Sequence, residues 1–529
     1  MGAGEAAWWH GGVIYQTYVR SFADSNGDGV GDLQGIVDRL DHIEWLGVDA
    51  IWLSPITPSP NEDWGYDVSD FTDVDPELGD LGVLDRLVAD AARRGIRVIV
   101  DLVPNHTSNR HPWFVEARSD RGSPHRDWYV WADGVAGGPP NNWTSVFGGP
   151  AWTWDAASEQ YYLHNFLPEQ PDLNWWNTDV RREFERILRF WFDRGIAGFR
   201  IDVAHGLVKD RDLRDNPPVT DDDHPRVRQL GLRPVYNMNR PEVHDVYRRW
   251  REVADTYDPP RVLIGETWLF DLPELMAFYG ADAAELDLAM NFPFVFSTLG
   301  EEMREVVRAT ETALSGTAWP VWIGSNHDAG RFPTRWAGGD ERKIRSALVL
   351  LLTLRGTPIL YYGDEIGMPE VAVPRDALLD PVGIRGWPSD PGRDGSRTPM
   401  RWSGGAGVGF ASPEVEPWLP AGDPSDPTVA DQRSDPGSVL HLCRDLIALR
   451  RTTPELQTGA SEDLPAPPGV WAWRRGSDLV VVLNLAEDPV EMPLEGATVL
   501  IATDRRRDGE AVSGSLRLDG WSAAVARLG

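Results

Sequence analysis

The sequence predicts an α/β chain built as a (β/α)8 TIM barrel, with a loop-rich domain inserted after the third strand and an antiparallel β domain at the C-terminal end. Short β-branched and aromatic runs alternate eight times with amphipathic helical patterns, as expected of a parallel sheet wrapped by helices. The stretch from about 104 to 175, rich in Trp, Gly, Pro and Asn, is too long for an ordinary βα loop. From about 455 the helical periodicity gives way to short strands with turn signals. The chain therefore divides into a first barrel portion at 1–104, an inserted domain at 105–175, a second barrel portion at 176–454 with a long loop subdomain at about 366–420, and a C-terminal β-sandwich at 455–529.

In chain order the barrel strand candidates are Val13–Tyr18, Ala50–Leu53, Val98–Leu102, Gly198–Asp202, Val262–Gly265, Leu286–Asn291, Val321–Gly324 and Pro358–Tyr362. Between the first two, Leu33, Ile36, Val37, Leu40, Ile43 and Leu46 share one face at helical spacing. Val180, Phe184, Ile187, Leu188, Trp191 and Phe192 do the same before Gly195, a residue suited to the left-handed position that ends a helix. In the last module the strand candidates are Val470–Arg474, Leu479–Leu485, Thr498–Ala502 and Ala523–Leu528.

Composition narrows the function classes. The 529 residues are 41% hydrophobic and 25% charged, enough apolar material for a sizeable core. A net charge of −31 repels phosphate backbones and anionic lipid surfaces, so nucleic acid and membrane partners are not expected. Only Lys209 and Lys343 are lysines, a bias from which no chemistry is drawn. The single cysteine, Cys443, lies in a helical run and reads as a buried, inert thiol, which excludes a disulfide framework. The N-terminal Met1–Trp9 lacks a signal-peptide pattern, and the apolar run Ala347–Leu354 is far shorter than the roughly 20 residues that cross a bilayer. A cytoplasmic monomer or homodimer acting on a small molecule is the expectation.

In a βα barrel the reacting groups sit at the C-terminal ends of the strands. Strand three ends in Asp101-Leu102-Val103-Pro104-Asn105-His106, strand four in Arg200-Ile201-Asp202, strand five in Gly265-Glu266-Thr267 and strand seven in Ser325-Asn326-His327-Asp328. Arg200 and Asp202, two apart on a strand, project to one side, so the guanidinium would hold Asp202 ionised as a nucleophile. Glu266, entering between Asp202 and Asp328, would feel like charges that keep it protonated as a general acid. A lone strand-end acid is more often a cap or an ion pair, and a lone histidine more often structural. Convergence of three acids, His106 and His327 on one rim is what points to glycoside hydrolysis. Asp101 reads as structural.

These four segments resemble the four signature regions of the α-amylase superfamily of retaining glycoside hydrolases, in the right order and within a likeness running from about residue 8 to the C-terminus. Gln170-Pro171-Asp172-Leu173-Asn174 is similar to the marker of its oligo-1,6-glucosidase and α-glucosidase branch. The resemblance implies Asp202 as nucleophile, Glu266 as acid and base, and Asp328 as the carboxylate that grips the sugar hydroxyls. It implies Arg200, His106 and His327 as supports of the reacting glucose. Asp63 and Arg397 would pair to close the non-reducing end, Tyr66 would stack on the sugar, and Phe147, Phe166 and Gln170 would line the pocket.

A second motif spaces oxygen ligands at alternate positions, Asp24, Asn26, Asp28, the Val30 carbonyl and Asp32, with Gly29 at the turn. Position twelve is Gly35 instead of Glu, so it is no EF-hand, but it suits a structural Ca²⁺ or Mg²⁺, as a similar loop does in the resembled branch. No organic cofactor is expected. Valine after the nucleophile, Val203, accompanies α-1,6 activity in that branch, whereas Ala204-His205-Gly206-Leu207-Val208-Lys209-Asp210 resembles actinobacterial α-glucosidases acting on maltose. The expected activity is an exo-acting retaining α-glucosidase on α-1,4-linked glucose of maltose and short maltooligosaccharides, with transglucosylation. The rivals are an oligo-1,6-glucosidase and a trehalose synthase or sucrose isomerase; a non-catalytic scaffold is disfavoured because all three acids are present.

Overall fold

The computed structural model describes residues 7–529, so the reading of the N-terminal Met1–Ala6 lies outside the described residues. Eight parallel strands form the barrel: β1 (Ile14–Thr17), β2 (Ala50–Leu53), β3 (Arg97–Leu102), β7 (Gly198–Ile201), β8 (Val262–Gly265), β9 (Leu288–Ala289), β10 (Val321–Ile323) and β11 (Thr357–Tyr361). The intervening numbers belong to the inserted domain: β4 (Trp131–Ala132), β5 (Trp152–Asp155) and β6 (Gln160–Leu163). The barrel order is β10, β11, β1, β2, β3, β7, β8, β9, nearly closed, with Ile14 in register with both Ala50 and Ile359. All four β1 residues are buried, as are those of β2, because helices cover the outside and side chains fill the inside.

Two elements differ from expectation for local reasons. The helix expected across 33–46 is two helices, Leu33–Asp38 and Leu40–Leu46, broken at Arg39. The Arg39 guanidinium lies 4.4 Å from the Trp402 ring centre and donates to the Gly409 carbonyl at 2.8 Å, a reach toward the long loop that the break permits. The sixth barrel strand shrinks to Leu288–Ala289. Asp287 spends its carboxylate on the Leu263 amide, and Asn291 caps the helix Phe292–Phe296 through the Phe294 amide. By contrast the helix Thr178–Asp193 buries all six residues of its expected face and ends before Gly195 at φ +91°.

The inserted stretch folds as a three-stranded antiparallel sheet in the order β4, β6, β5, over a small core of Trp143, Ala151, Trp152 and Leu163. The C-terminal module pairs β12 (Ser461–Asp463), β13 (Val470–Arg475), β14 (Leu479–Asn484), β19 (Ala523–Leu528), β16 (Ala497–Ala502) and β17 (Ala511–Val512) in one sheet. A second sheet pairs β15 (Val490–Pro493) with β18 (Ser515–Leu518). Strand alternation divides β13 between two cores: Trp471 and Trp473 pack into the barrel's hydrophobic cluster, whereas Val470 and Ala472 face the sandwich interior. Arg475 fastens the junction by donating to the Thr353 carbonyl at 2.5 Å and the Leu456 carbonyl at 3.1 Å. Cys443 is buried, and burial pushes its thiol well above its ordinary range. No helix among the described residues is long and apolar enough to cross a membrane.

Candidate active site

The strand ends converge as expected, and Arg200 is the hub. Its Nη1 lies 2.8 Å from Asp101 Oδ1 and 2.7 Å from Asp202 Oδ1, and its Nη2 lies 2.8 Å from Glu266 Oε1. Asp101 also accepts from Trp52 Nε1 at 3.1 Å and the Tyr66 hydroxyl at 3.2 Å, so its structural reading stands as an anchor for the hub. Val203 holds the other oxygen of Glu266. Its backbone sits at φ +45°, a strained conformation for a β-branched residue, and its amide donates to Glu266 Oε2 at 2.9 Å.

One guanidinium serving three buried carboxylates alters the expected charge assignment. Burial pushes the Asp202 carboxyl well above the ordinary range; the Glu266 charge adds to this, and Arg200 opposes it without prevailing. The sequence reading made Asp202 the settled anion because it gave Arg200 to Asp202 alone. Asp101 is raised to about 6, by burial first. Asp328 moves the other way. Burial opposes its charge, but His327, Arg393 and Arg397 outweigh it and hold the carboxyl well below the usual range. Burial drives the His327 imidazole down to about 3, so near neutral pH the two arginines do this work.

A cavity of about 1090 Å³ opens over these groups, lined by Asp63, Tyr66, His106, Phe147, Phe166, Asp202, Glu266, Asp328 and others. One end is blind. Arg393 Nη2 donates to Asp63 Oδ1 at 2.7 Å and its Nη1 to Asp328 Oδ1 at 3.0 Å, while the guanidinium lies 5.3 Å from the Phe147 ring centre. The pair expected between Asp63 and Arg397 is thus made by Arg393. Arg397 is fully buried one layer deeper, where Nε donates to the His327 carbonyl at 3.0 Å and Nη2 to Asp328 Oδ1 at 3.1 Å. Gln170 does not line the pocket. It is fully buried and donates to Asp63 Oδ2 at 3.2 Å, bracing the pocket from behind. The Tyr66 hydroxyl lies 2.5 Å from His327 Nε2, the two rings lying parallel 5.3 Å apart. His106 Nε2 meets the Tyr66 carbonyl at 2.9 Å, and burial lowers its imidazole to about 4.

The opposite wall was not legible in the sequence. A third long connection, about 203–242, supplies His205, Asn216, His224, Arg226 and Met238, and Trp268, Phe270 and Phe296 face it. His224 stacks on Phe270 at 3.9 Å and Arg226 lies 4.1 Å from the Phe296 ring centre. Lys209 is a further support: buried, it lies 2.8 Å from Asp172 and donates to Asn105 Oδ1 at 2.7 Å, tying the inserted domain to the end of β3. Its rarity in an arginine-using chain was the available signal.

The proposed cation loop is wound by Asx turns. Asp24 accepts from the Asn26, Gly27 and Gly29 amides, Asn26 from Asp28, and Asp28 from Val30. Asp32 caps Leu33–Asp38 through the Gly35 amide at 2.7 Å and accepts from Ser25 of the loop. Among the described residues no three acids, histidines or cysteines gather as a metal-binding cluster. The oxygen donors that suit a hard cation there are the five expected, Asp24, Asn26, Asp28, the Val30 carbonyl and Asp32, whose oxygens keep lone pairs beyond their turn and cap hydrogen bonds.

Residues 16–459 match the family model described as alpha amylase, catalytic domain, and residues 459–525 match a domain of unknown function, DUF3459. With the acid-lined barrel mouth in place, the chain belongs to the alpha-amylase family of glycoside hydrolases, in its oligo-1,6-glucosidase and α-glucosidase branch. It is 41% identical to a probable alpha-glucosidase of Rhizobium meliloti, over 98% of this chain and 97% of that one. It is 34% identical to an oligo-1,6-glucosidase of Parageobacillus thermoglucosidasius, over 99% of each. Among solved structures it is similar to the alpha-glucosyl transfer enzyme XgtA, with a TM-score of 0.92 and 40% identity over 99% of this chain and 100% of that one. The trehalulose synthase MutB of Pseudomonas mesoacidophila MX-45 matches with a TM-score of 0.89 and 32% identity over the same shares.

Proposed function

We propose that the protein is an exo-acting, retaining α-glucosidase that removes terminal non-reducing α-1,4-linked glucose from maltose and short maltooligosaccharides, and transfers glucose when a sugar hydroxyl replaces water. The observation that carries this reading is the Asp63–Arg393–Asp328 bridge at one end of the pocket, which we read as a blind end with room for one terminal sugar and no passage for a longer chain. Asp202 attacks the anomeric carbon while Glu266 delivers a proton to the departing glycosidic oxygen, giving a glucosyl ester on Asp202. Glu266 then takes a proton from water, whose oxygen displaces Asp202 and restores the α configuration. Holding both carboxyls on one guanidinium supports the close spacing of about 5–5.5 Å that this double displacement uses.

A maltoheptaoside capped at its non-reducing end should resist cleavage, while maltose and uncapped maltotriose release glucose singly. Rapid internal cleavage of the capped substrate would mean an open cleft. A second reading, α-1,6 hydrolysis, is favoured by one observation: Val203, which accompanies that linkage in the branch, lines the pocket beside Asp202. Rates on maltose, isomaltose, sucrose and trehalose separate the two, maltose being expected fastest; sucrose or trehalose isomerisation would replace both.

A structural Ca²⁺ or Mg²⁺ held by Asp24, Asn26, Asp28, the Val30 carbonyl and Asp32 is part of the same proposal. Chelation with EDTA should then lower the melting temperature by a few degrees, and added Ca²⁺ restore it, with turnover below the transition unchanged. An unmoved melting temperature would leave the loop as Asx turns alone.

A further inference from the structure

One buried carboxylate beside the pocket has no part in the chemistry above. Asp380 is fully buried at the neck of the excursion 380–393. Its Oδ2 accepts the Arg393 backbone amide at 2.6 Å and Nε at 3.0 Å, and its Oδ1 accepts Nη2 at 2.7 Å. A carboxylate that grips Nε and Nη2 together fixes the plane of the guanidinium. The plane so fixed points Nη1 at Asp328 and the remaining Nη2 hydrogen at Asp63.

The neck is built to keep Asp380 still. Asp394 Oδ2 accepts the amides of Leu379 and Asp380 at 2.7 and 2.9 Å. Gly392, at φ +75°, packs so closely that a Cβ there would lie 2.5 Å from the Gly383 nitrogen and 2.7 Å from Asp380 Oδ2. A Cβ on Gly383 would in turn lie 2.4 Å from the Pro391 carbonyl. The excursion closes backbone to backbone, and Asp380 cannot follow Arg393 if the arginine swings.

We propose that Asp380 is a positioning residue: without touching the sugar it aims Arg393, so that Asp63 and Asp328 are held in the orientation that grips the hydroxyls of the reacting glucose. This deepens the proposed function and rests on its placement of the glucose at the blind end. Asp380 also accepts the Val382 amide at 3.2 Å as the cap of the short helix Pro381–Gly386, so a purely structural role is the alternative to be separated.

The separating experiment is a double-mutant cycle on the full chain with p-nitrophenyl α-glucoside, whose cleavage does not depend on linkage preference. Wild-type turnover of that glucoside tests the α-glucosidase reading, and the cycle tests the role of Asp380. Asp380→Asn should lower kcat/KM by about 100-fold, the order expected when a binding group is misplaced by about 1 Å. KM and the inhibition constant of free glucose should rise together, because glucose binding itself is loosened. In an Arg393→Ala background the same substitution should cost less than about 3-fold, since the residue through which it acts is gone. Equal losses in both backgrounds, or a fall in kcat at unchanged KM, would overturn the proposal. Should Asp380→Asn fail to fold, Gly392→Ala, whose Cβ displaces the Asp380 carboxylate, is read in the same cycle against the same two outcomes.

Discussion

Asp202→Asn should lower kcat on an α-glucoside by about 10⁴-fold or more, as loss of a nucleophile does, and Glu266→Gln by about 10²–10⁴-fold, the span of general acid–base catalysis. The two losses should differ in kind. A p-nitrophenyl leaving group needs no proton, so Glu266→Gln should still form the glucosyl ester on Asp202 and then stall for want of a base. Azide, which needs no base, should restore turnover and yield the α-glucosyl azide, since it displaces Asp202 from the face opposite the ester. With Asp202→Ala, azide can only attack the substrate directly, and the product should be the β-glucosyl azide. NMR of the anomeric proton reads the two products. The same azide anomer from both variants, or near wild-type turnover in either, would show that the roles are misassigned. Neither Asp202→Asn nor Glu266→Gln should unfold, because each amide keeps an oxygen against Arg200.

Arg200→Lys should be nearly as damaging as loss of an acid, despite conserving charge. The guanidinium reaches three carboxylates with two terminal nitrogens, both at 2.7–2.8 Å from their partners, and sits 5.3 Å from the Trp52 ring centre. An ammonium is one point and cannot span Asp101, Asp202 and Glu266 together. Removing one preorganised electrostatic contact from an active site typically costs 10²–10³-fold, and this change disturbs the orientation of both reacting carboxyls, so about 10³-fold in kcat/KM is expected. The pH profile should move as well. Burial already raises Asp202 and Asp101, and Arg200 is what opposes it. With a weaker opposing charge both carboxyls hold protons to higher pH, so the acid limb of kcat/KM should shift upward. An unmoved limb with only a small loss of rate would demote Arg200 from hub to spectator.

Much of the site was legible because barrel strands end abruptly. Asp101, Asp202, Glu266 and Asp328 each sit at or just beyond the C-terminal end of a buried strand, and the known exit face of a βα barrel turns that position into a direction in space. What sequence could not resolve was partnership. Arg393 and Arg397 lie four apart in one irregular loop, and nothing local says which guanidinium reaches Asp63; the bidentate grip of Asp380, far from either by pattern, decides it. Gln170 was identified by its motif, but its depth depends on Asp63 and His106 packing around it. The wall from 203–242 carries no periodicity, so its part in the pocket emerges only from the stacking of His224 and Arg226 on aromatic rings of other loops. Asp32 fits a ligand pattern and a helix cap equally well, and the Gly35 amide, three residues on, takes up one side of its carboxylate.

The two-faced strand β13 also bears on how the chain comes off the ribosome. β1 pairs with β11, whose residues are made some 340 positions later, so the barrel cannot close until most of the chain exists. Even then the patch on its flank that receives Trp471 and Trp473 stays bare until the final module arrives. For that interval a nearly complete enzyme exposes an apolar surface to its neighbours. This later-synthesised module thus acts as an intramolecular shield, and its delay is a window in which the protein is prone to stick to others.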